Sequence, residues 1–214
     1  MRPPLDLTLY VITDARVARG RDQVELLRAA IRGGATMVQL RDKELPTRDQ
    51  YELGRRLREL TRGARVALIV NDRVDLAMAI DADGVHLGQD DLPPRVARTL
   101  LGHGRIVGVS AGNPAEFELV RREGADYIGT GPFAATGTKA DAGSAIGPAG
   151  LRALREITNL PMVAIGGIGP ANAAAAMATG ANGVAVISAV LGADDPERAA
   201  AELRRVVDAS RRGP

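Results

Sequence analysis

The stretch GGATMVQLRD, residues 33–42, decides the fold, because its pattern returns three more times along the chain. The later copies are DADGVHLGQD at 81–90, EGADYIGTGP at 123–132 and TGANGVAVIS at 179–188. Each copy places a turn of Gly, Ala or Asp before a short apolar run that ends in polar residues or glycine. The copies recur at intervals of roughly 50 residues, which is the length of two strand–helix units. The repeat therefore predicts alternating strands and helices around a parallel sheet.

Eight such units can be followed along the chain. Strands are predicted at residues 7–13, 36–41, 66–70, 84–87, 105–109, 127–130, 162–165 and 183–187. Helices are predicted between them, for example at 23–32 and 49–62, where apolar residues recur at helical spacing. The strands are apolar on both faces, as in a parallel sheet covered by helices. We therefore expect one domain over residues 1–214, a single-domain (β/α)8 TIM barrel, with an open doubly wound sheet as the alternative.

The composition excludes several classes of function. The formal net charge is only +2, and the chain has no Trp, two Phe and three Tyr, so we expect no nucleic-acid partner. Cysteine is absent, which excludes disulfides and thiolate metal sites. No apolar run approaches the length of a membrane span, and the first residues lack a signal-peptide layout. We expect a cytoplasmic protein with no membrane partner.

In a parallel barrel the chemistry lies at the carboxyl ends of the strands. The residues that follow the predicted strands include Gln39, Arg41 and Lys43, then Asn71 and Asp72, then Gln89, Asp90 and Asp91, then Ser110, the loop 131–147, GGIGP at 166–170, and Ile187 with Ser188. In the second strand, Gln39, Arg41 and Lys43 alternate, so they would share one face if the strand reached Lys43. Cations, carboxylates and glycines should therefore converge on one rim.

Two kinds of site are predicted on that rim. Backbone amides of GGIGP would bind a phosphate, whereas the alternative is a simple tight turn. Asp72 and Asp91 would share Mg²⁺, whereas the alternative is that each caps a helix. Arg41, Lys43 and Lys139 would hold a second anion. His86 has no nearby Cys, His or Ser partner in the sequence and is interpreted as structural.

The order of these motifs resembles the thiamine phosphate synthase family along nearly the whole chain. The matching segments are QLRDK at 39–43, ND at 71–72, GVHLGQDD at 84–91, GVS at 108–110, TGTK at 136–139, AIGGI at 164–168 and VIS at 186–188. The resemblance implies a barrel enzyme, a transferase that joins 4-amino-2-methyl-5-hydroxymethylpyrimidine diphosphate to a thiazole phosphate. The products would be thiamine phosphate and diphosphate, formed through a dissociative pyrimidine carbocation.

The resemblance also implies a role for each site residue. Catalysis would rest on Arg41, Lys43, Ser110 and Lys139. The pyrimidine diphosphate would be bound by Gln39, Leu40, Arg41, Asp42, Lys43, Asn71, Ser110 and Lys139. The thiazole phosphate would be bound by Thr136, Gly137, Thr138, Gly167, Ile187 and Ser188, and Mg²⁺ by Asp72 and Asp91.

Three other functions are considered beside this one. A thiazole tautomerase of the same barrel superfamily would have no use for the two aspartates together with Arg41, Lys43 and Lys139. A sugar-phosphate isomerase or epimerase would need a base pair or metal histidines that the sequence does not show. A non-catalytic metabolite sensor would bind the same phosphates without turnover. A homo-oligomer is left open.

Overall fold

The computed structural model describes residues 4–137 and 144–211. Eight parallel strands pair in sequence order, and β1 also pairs with β8, so the sheet closes into a barrel. The predicted (β/α)8 barrel is confirmed, and the open doubly wound alternative is wrong.

The strands are short and lie close to their predicted positions. They are β1 Leu9–Ile12, β2 Met37–Leu40, β3 Ala67–Asn71, β4 Gly84–Leu87, β5 Ile106–Ser110, β6 Tyr127–Thr130, β7 Met162–Ile165 and β8 Gly183–Val186. β4, β6 and β7 have the predicted bounds. β1 is shorter than predicted at both ends, and β2 ends at Leu40 and does not continue to Lys43.

Helices follow every strand. Those of the described residues are α1 Ala15–Ala18, α2 Gln23–Arg32, α3 Thr47–Ala64, α4 Val74–Ala79, α5 Pro94–Leu101, α6 Pro114–Glu123, α7 Gly147–Glu156, α8 Ala173–Met177, α9 Ser188–Leu191 and α10 Pro196–Arg211. α2 has the predicted bounds, and α3 extends beyond the predicted 49–62 at both ends. β1 and β8 are each followed by two helices, so the helical layer is less regular than eight equal units.

Side chains alternate across the sheet, which divides the apolar residues into two cores. Outward residues such as Leu9, Val38 and Leu68 pack against the helices in the larger core. Inward residues form a smaller core inside the barrel, made of Leu7, Tyr10, Ile12, Met37, Ala67, Ile69, Ile106, Tyr127, Val163 and Ala185. This inner core fills the barrel beneath its mouth, which leaves space for a ligand at the carboxyl ends of the strands.

Two glycines make room for large rings in this interior. A Cβ on Gly108 would lie 2.1 Å from Cζ of Tyr127, and a Cβ on Gly129 would lie 2.9 Å from Cε1 of His86. Neither separation is compatible with the observed ring positions. The small residues on β5 and β6 are therefore required by the aromatic rings beside them.

The outer surface carries a short apolar row. Leu92, Val96 and Leu100 are exposed and four residues apart, on α5 and the turn before it. The sequence pattern alone did not reveal an exposed apolar row, because Leu92 lies outside the helix. No helix of residues 4–137 and 144–211 is long and apolar enough to cross a membrane. The homo-oligomer stays a prediction.

Gly108→Ala should lower the stability of the protein, because the new methyl group would overlap the ring of Tyr127. We expect a loss of about 1–3 kcal/mol, as for an overpacked core, and a lower melting temperature. Gly104→Ala is the matched control, since a Cβ at Gly104 has no atom within 4 Å. Thermal unfolding followed by circular dichroism measures both variants. Equal melting temperatures for the two would contradict the packing argument.

Candidate active site

A cavity of about 510 Å³ opens at the carboxyl ends of the strands. Its volume lies within the range of small-molecule sites. Eight of the predicted binding residues line it, namely Gln39, Arg41, Asn71, Ser110, Thr136, Gly167, Ile187 and Ser188. The rule that chemistry lies at the strand ends therefore brings together residues from six different strands or the loops after them.

β2 contributes its residues to opposite sides of the sheet. Gln39 is buried inside the barrel, where its Nε2 donates to Oη of Tyr10 at 2.6 Å. Leu40 points outward and packs beside Gly54 of α3 in the larger core. Strand alternation turns this side chain away from the cavity, and the predicted binding role of Leu40 stays a prediction.

Arg41 is held in place by the end of β1. Its backbone N–H donates to Oγ1 of Thr13 at 2.7 Å, and the same hydroxyl donates to its carbonyl oxygen at 2.9 Å. Its guanidinium donates to the buried carboxylate of Asp14 at 3.0 Å. Asp14 in turn accepts from the first amides of α1. The sequence does not reveal this anchor, since Asp14 is 27 residues away from Arg41 and resembles an ordinary helix cap.

Asp42 and Lys43 lie beyond the strand and do not line the cavity. Oδ1 of Asp42 accepts from the amides of Glu44 and Leu45 at 2.9 and 2.8 Å, so this carboxylate closes a turn. These contacts of Oδ1 are local, and the predicted binding role of Asp42 stays a prediction. Lys43 is exposed at the rim, where its ammonium acts electrostatically on Asp72.

Asp72 and Asp91 form a pair of carboxylates beside the cavity. Burial raises the pKa of Asp72, as do its hydrogen bond to Asp91 and the negative charge of Asp91, while Lys43 and Arg41 oppose the rise, and the resulting pKa is about 6. Asp72 also has a φ of 62°, a left-handed conformation that is rare outside glycine. Repulsion and backbone strain at one residue are typical of functional sites.

Neither aspartate caps a helix. The residues at the N-cap positions of α4 and α5 are Arg73 and Pro93, and neither helix has a side-chain cap bond. Oδ2 of Asp91 accepts from the amide of Gly88 at 2.7 Å, which fixes the carboxylate in the loop after β4. The helix-cap alternative is therefore wrong for both residues.

The opposite half of the mouth is built from backbone amides. Gly166 and Gly167 both have positive φ, and a Cβ on Gly167 would lie 2.6 Å from the carbonyl oxygen of Ala135. Gly166 and Gly167 therefore do form the tight turn that was the alternative to a phosphate site. In addition, Gly167, Ser188 and Ala189 line the cavity, and their backbone amides donate no hydrogen bond to another described residue. Free amides at a cavity wall are suited to bind an anion.

His86 is the main residue that the sequence analysis underestimated. It lines the cavity, with Nε2 3.0 Å from Oγ of Ser110 and Nδ1 3.0 Å from Oη of Tyr127. The expectation that it lacks a Ser partner holds only along the sequence, because the partner comes from the neighbouring strand. Strand alternation could have found it, since His86 lies between Val85 and Leu87, two apolar residues that face the helices. Tyr10 was missed for a similar reason.

Comparison with known proteins decides the family. A family model described as thiamine monophosphate synthase matches residues 9–190. The chain belongs to the thiamine monophosphate synthase family. A thiamine-phosphate synthase from Moorella thermoacetica is 55% identical over 203 residues, which are 95% of this chain and 97% of the relative. A second relative with the same description, from Chloroflexus aurantiacus, is also 55% identical over 203 residues, which are 95% of this chain and 94% of the relative.

A solved structure agrees with this assignment. The thiamine phosphate pyrophosphorylase from Pyrococcus furiosus superposes with a TM-score of 0.87 at 45% identity, covering 96% of this chain and 97% of that one. The predicted activity, a thiamine phosphate synthase and thus a transferase of thiamine biosynthesis, is confirmed by family membership. The tautomerase and the non-catalytic sensor are not favoured.

The family motif TGTK, residues 136–139, lies only partly within the described residues. Thr138 and Lys139 lie outside the described residues, so their predicted roles stay predictions. Gly137 is exposed and does not line the cavity. Thr136 does line it, next to a loop whose Ala134 amide donates to the carbonyl oxygen of Gly166 at 3.0 Å. The family motif therefore reaches the amide half of the mouth through Thr136.

Asp91→Asn should lower the pKa of Asp72 from about 6, because it removes a negative neighbour, but burial should keep that pKa above the usual 3.8. Protonated Asp72 is favoured in the folded state, so its contribution to stability is present below about pH 4 and is lost as the pH rises through 6. Without metal, the variant should therefore be more stable than the parent above pH 6, by about 1 kcal/mol after solvent screening.

Thermal unfolding of the parent and the variant across this pH window measures the stability difference, and carboxyl ¹³C shifts of Asp72 measure its pKa. Asp90→Asn, one residue away, is the control. A stability gain for Asp91→Asn that persists below pH 4 would contradict the repulsion between the two carboxylates.

Proposed function

We propose that the two halves of the barrel mouth bind the two substrates of thiamine phosphate synthesis separately. The half formed by β2–β5 carries the cations and carboxylates and takes the pyrimidine diphosphate. The half formed by the loops after β6, β7 and β8 carries free amides and takes the thiazole phosphate. The observation that carries the proposal is the separation of these two kinds of anion-binding group across one cavity.

The pyrimidine half is suited to a highly charged leaving group. Arg41, already oriented by Asp14, and Lys43 at the rim supply positive charge. Gln39, Asn71 and Ser110 line the wall below them and offer hydrogen bonds to a polar ring. Such a wall both orients the substrate and stabilises the charge that accumulates on diphosphate as it leaves.

The chemistry needs little more than this arrangement. The bond between the methylene carbon and the diphosphate oxygen breaks, and the electron pair leaves with diphosphate. The aminopyrimidine delocalises the resulting methylene cation, and the lone pair of the thiazole nitrogen captures it. No group of the protein has to act as a nucleophile. The apolar inner core beneath the cavity excludes water from below, which protects the cation from hydrolysis.

The carboxylate pair fits a magnesium ion. Mg²⁺ prefers oxygen ligands, and it commonly binds through one or two carboxylates together with substrate phosphates. Asp72 and Asp91 provide such a pair, and no group of three or more His, Cys, Asp or Glu that could hold a metal occurs in residues 4–137 and 144–211. When bound, the ion would neutralise charge on the leaving diphosphate. Repulsion between the two carboxylates would also be relieved.

Removal of magnesium should abolish turnover. With EDTA in excess we expect no thiamine phosphate, and Asp91→Ala should reduce kcat/KM by about a hundred-fold or more, as for the loss of a charge clamp. Diphosphate release on mixing the two substrates is the measurement, with Asp90→Ala as the control. Undiminished turnover in the metal-free assay would contradict the role given to the aspartates.

Variants of the two halves should affect different substrates. Gly167→Ala places a methyl group 2.6 Å from the Ala135 carbonyl oxygen, which disturbs the amide half and should raise KM for the thiazole phosphate about ten-fold. Lys43→Ala should raise KM for the pyrimidine diphosphate by a similar factor. Gly104→Ala and Arg55→Ala are the controls, since neither residue lines the cavity, a Cβ at Gly104 has no atom within 4 Å, and Arg55 lies on the outer face of α3. Equal effects of each variant on both substrates would contradict the division.

A further inference from the structure

Five polar side chains form one continuous hydrogen-bonded chain across the barrel interior, and all of them except Tyr127 line the cavity. Nε2 of Gln39 donates to Oη of Tyr10 at 2.6 Å, and the hydroxyls of Tyr10 and Tyr127 are 3.1 Å apart. Oη of Tyr127 lies 3.0 Å from Nδ1 of His86, and Nε2 of His86 lies 3.0 Å from Oγ of Ser110. The polar chain thus begins and ends at residues proposed to bind the pyrimidine diphosphate.

The number of protons fixes the direction of these hydrogen bonds. Tyr10 already accepts from Gln39, and among the described residues the only other partner of its hydroxyl is Tyr127. Tyr10 must therefore donate to Tyr127, or its own proton is buried without an acceptor. Burying such a donor would disfavour the reverse direction by about ten-fold or more.

The same reasoning continues to the cavity. The hydroxyl of Tyr127 accepts from Tyr10, so it donates to Nδ1 of His86. A neutral imidazole with Nδ1 as acceptor carries its proton on Nε2, which donates to Oγ of Ser110. The hydroxyl proton of Ser110 then cannot point at His86. Ser110 lines the cavity, so this proton is available to a ligand there.

The surroundings keep the polar chain in this state. Tyr10 and Tyr127 are fully buried, and burial raises the pKa of both hydroxyls far above the ordinary value, so they stay protonated donors. The rings of these two residues meet edge to face at 6.1 Å. Gly108 and Gly129 leave space for the rings of Tyr127 and His86. These two glycines are therefore needed to hold Tyr127 and His86 in the network.

We propose that Tyr10, Tyr127 and His86 are positioning residues. The two tyrosines hold His86 with its proton on Nε2, and His86 thereby makes Ser110 a hydrogen-bond donor to the substrate. The group that Ser110 meets must then be an acceptor, either a phosphate oxygen or an unprotonated ring nitrogen. Only the identity of the ligand that Ser110 meets rests on the proposed function. The state of His86 is a property of the ligand-free protein.

Nitrogen NMR of histidine tests the polar chain directly. The protein contains two histidines, His86 and the exposed His103, so ¹⁵N-histidine labelling gives one signal set for each and an internal reference. At one near-neutral pH and without ligand, we expect His86 to show an unprotonated Nδ1 and a protonated Nε2. A proton on Nδ1 of His86 in the parent protein, whether or not Nε2 is also protonated, would overturn the proposal.

Tyr127→Phe removes the hydroxyl that donates to Nδ1 and keeps the ring that fills the space. In this variant the Nδ1-protonated form of His86 should become populated, and KM for the pyrimidine diphosphate should rise about two- to ten-fold, as for one lost hydrogen bond. KM for the thiazole phosphate should not change. Tyr51→Phe, on α3 outside the barrel, is the control. Unchanged His86 nitrogen signals in Tyr127→Phe would show that the tyrosine does not set the tautomer.

Two probes decide which acceptor Ser110 meets. Inorganic diphosphate with magnesium and the pyrimidine alcohol are each titrated into the parent protein and into Ser110→Ala by calorimetry. Weaker binding of diphosphate alone in the variant assigns the donor to a phosphate oxygen, and weaker binding of the alcohol alone assigns it to the ring. Unchanged binding of both would overturn the donor role of Ser110. The NMR result stands independently if neither substrate assignment is correct.

Discussion

Hydrogen bonds between β1 and β8 close the sheet, and every inward side chain must then share one narrow interior. Because side chains alternate along each strand, the barrel assigns Tyr10, Gln39 and His86 to this interior whatever their neighbours in the sequence prefer. The space is limited, so each large ring requires a small partner, as Gly108 provides for Tyr127. The geometry of the site follows from this competition for volume.

Electrostatics in the mouth is organised by the same closure. Strands two to five bring Arg41, Lys43, Asp72 and Asp91 to one side, and the loops after strands six to eight bring free amides to the other. The charge of Arg41 is partly balanced by Asp14, whereas the two carboxylates raise each other's energy. A cation between the carboxylates, as proposed for Mg²⁺, would relieve their repulsion, and an anion beside the guanidinium would balance its charge. Ligands therefore contribute to the stability of the folded state.

The buried polar chain has a different purpose from the charged rim. It lies in the barrel interior among apolar residues, where an unsatisfied donor is costly and a fully satisfied network is rigid. Such a network carries directional information, since the orientation of one hydroxyl fixes that of the next. Charges at the rim attract and neutralise a ligand, and the directed donor at Ser110 distinguishes an acceptor from a donor on that ligand.

The sequence by itself determined the repeat of strands and helices, the closed barrel, the family and most of the residues that line the cavity, because strand periodicity and the strand-end rule are local properties. It did not determine that Asp14 anchors Arg41, that Leu40 turns away from the cavity, or that His86 lies between Ser110 and Tyr127. The contacts of Asp14 and His86 join residues that are 24 to 41 positions from each other in the sequence. The outward orientation of Leu40 depends instead on where its strand lies in the barrel wall. Only the closed tertiary structure decided them, because pairing across the barrel depends on which strands become neighbours and on how much volume their side chains leave for one another.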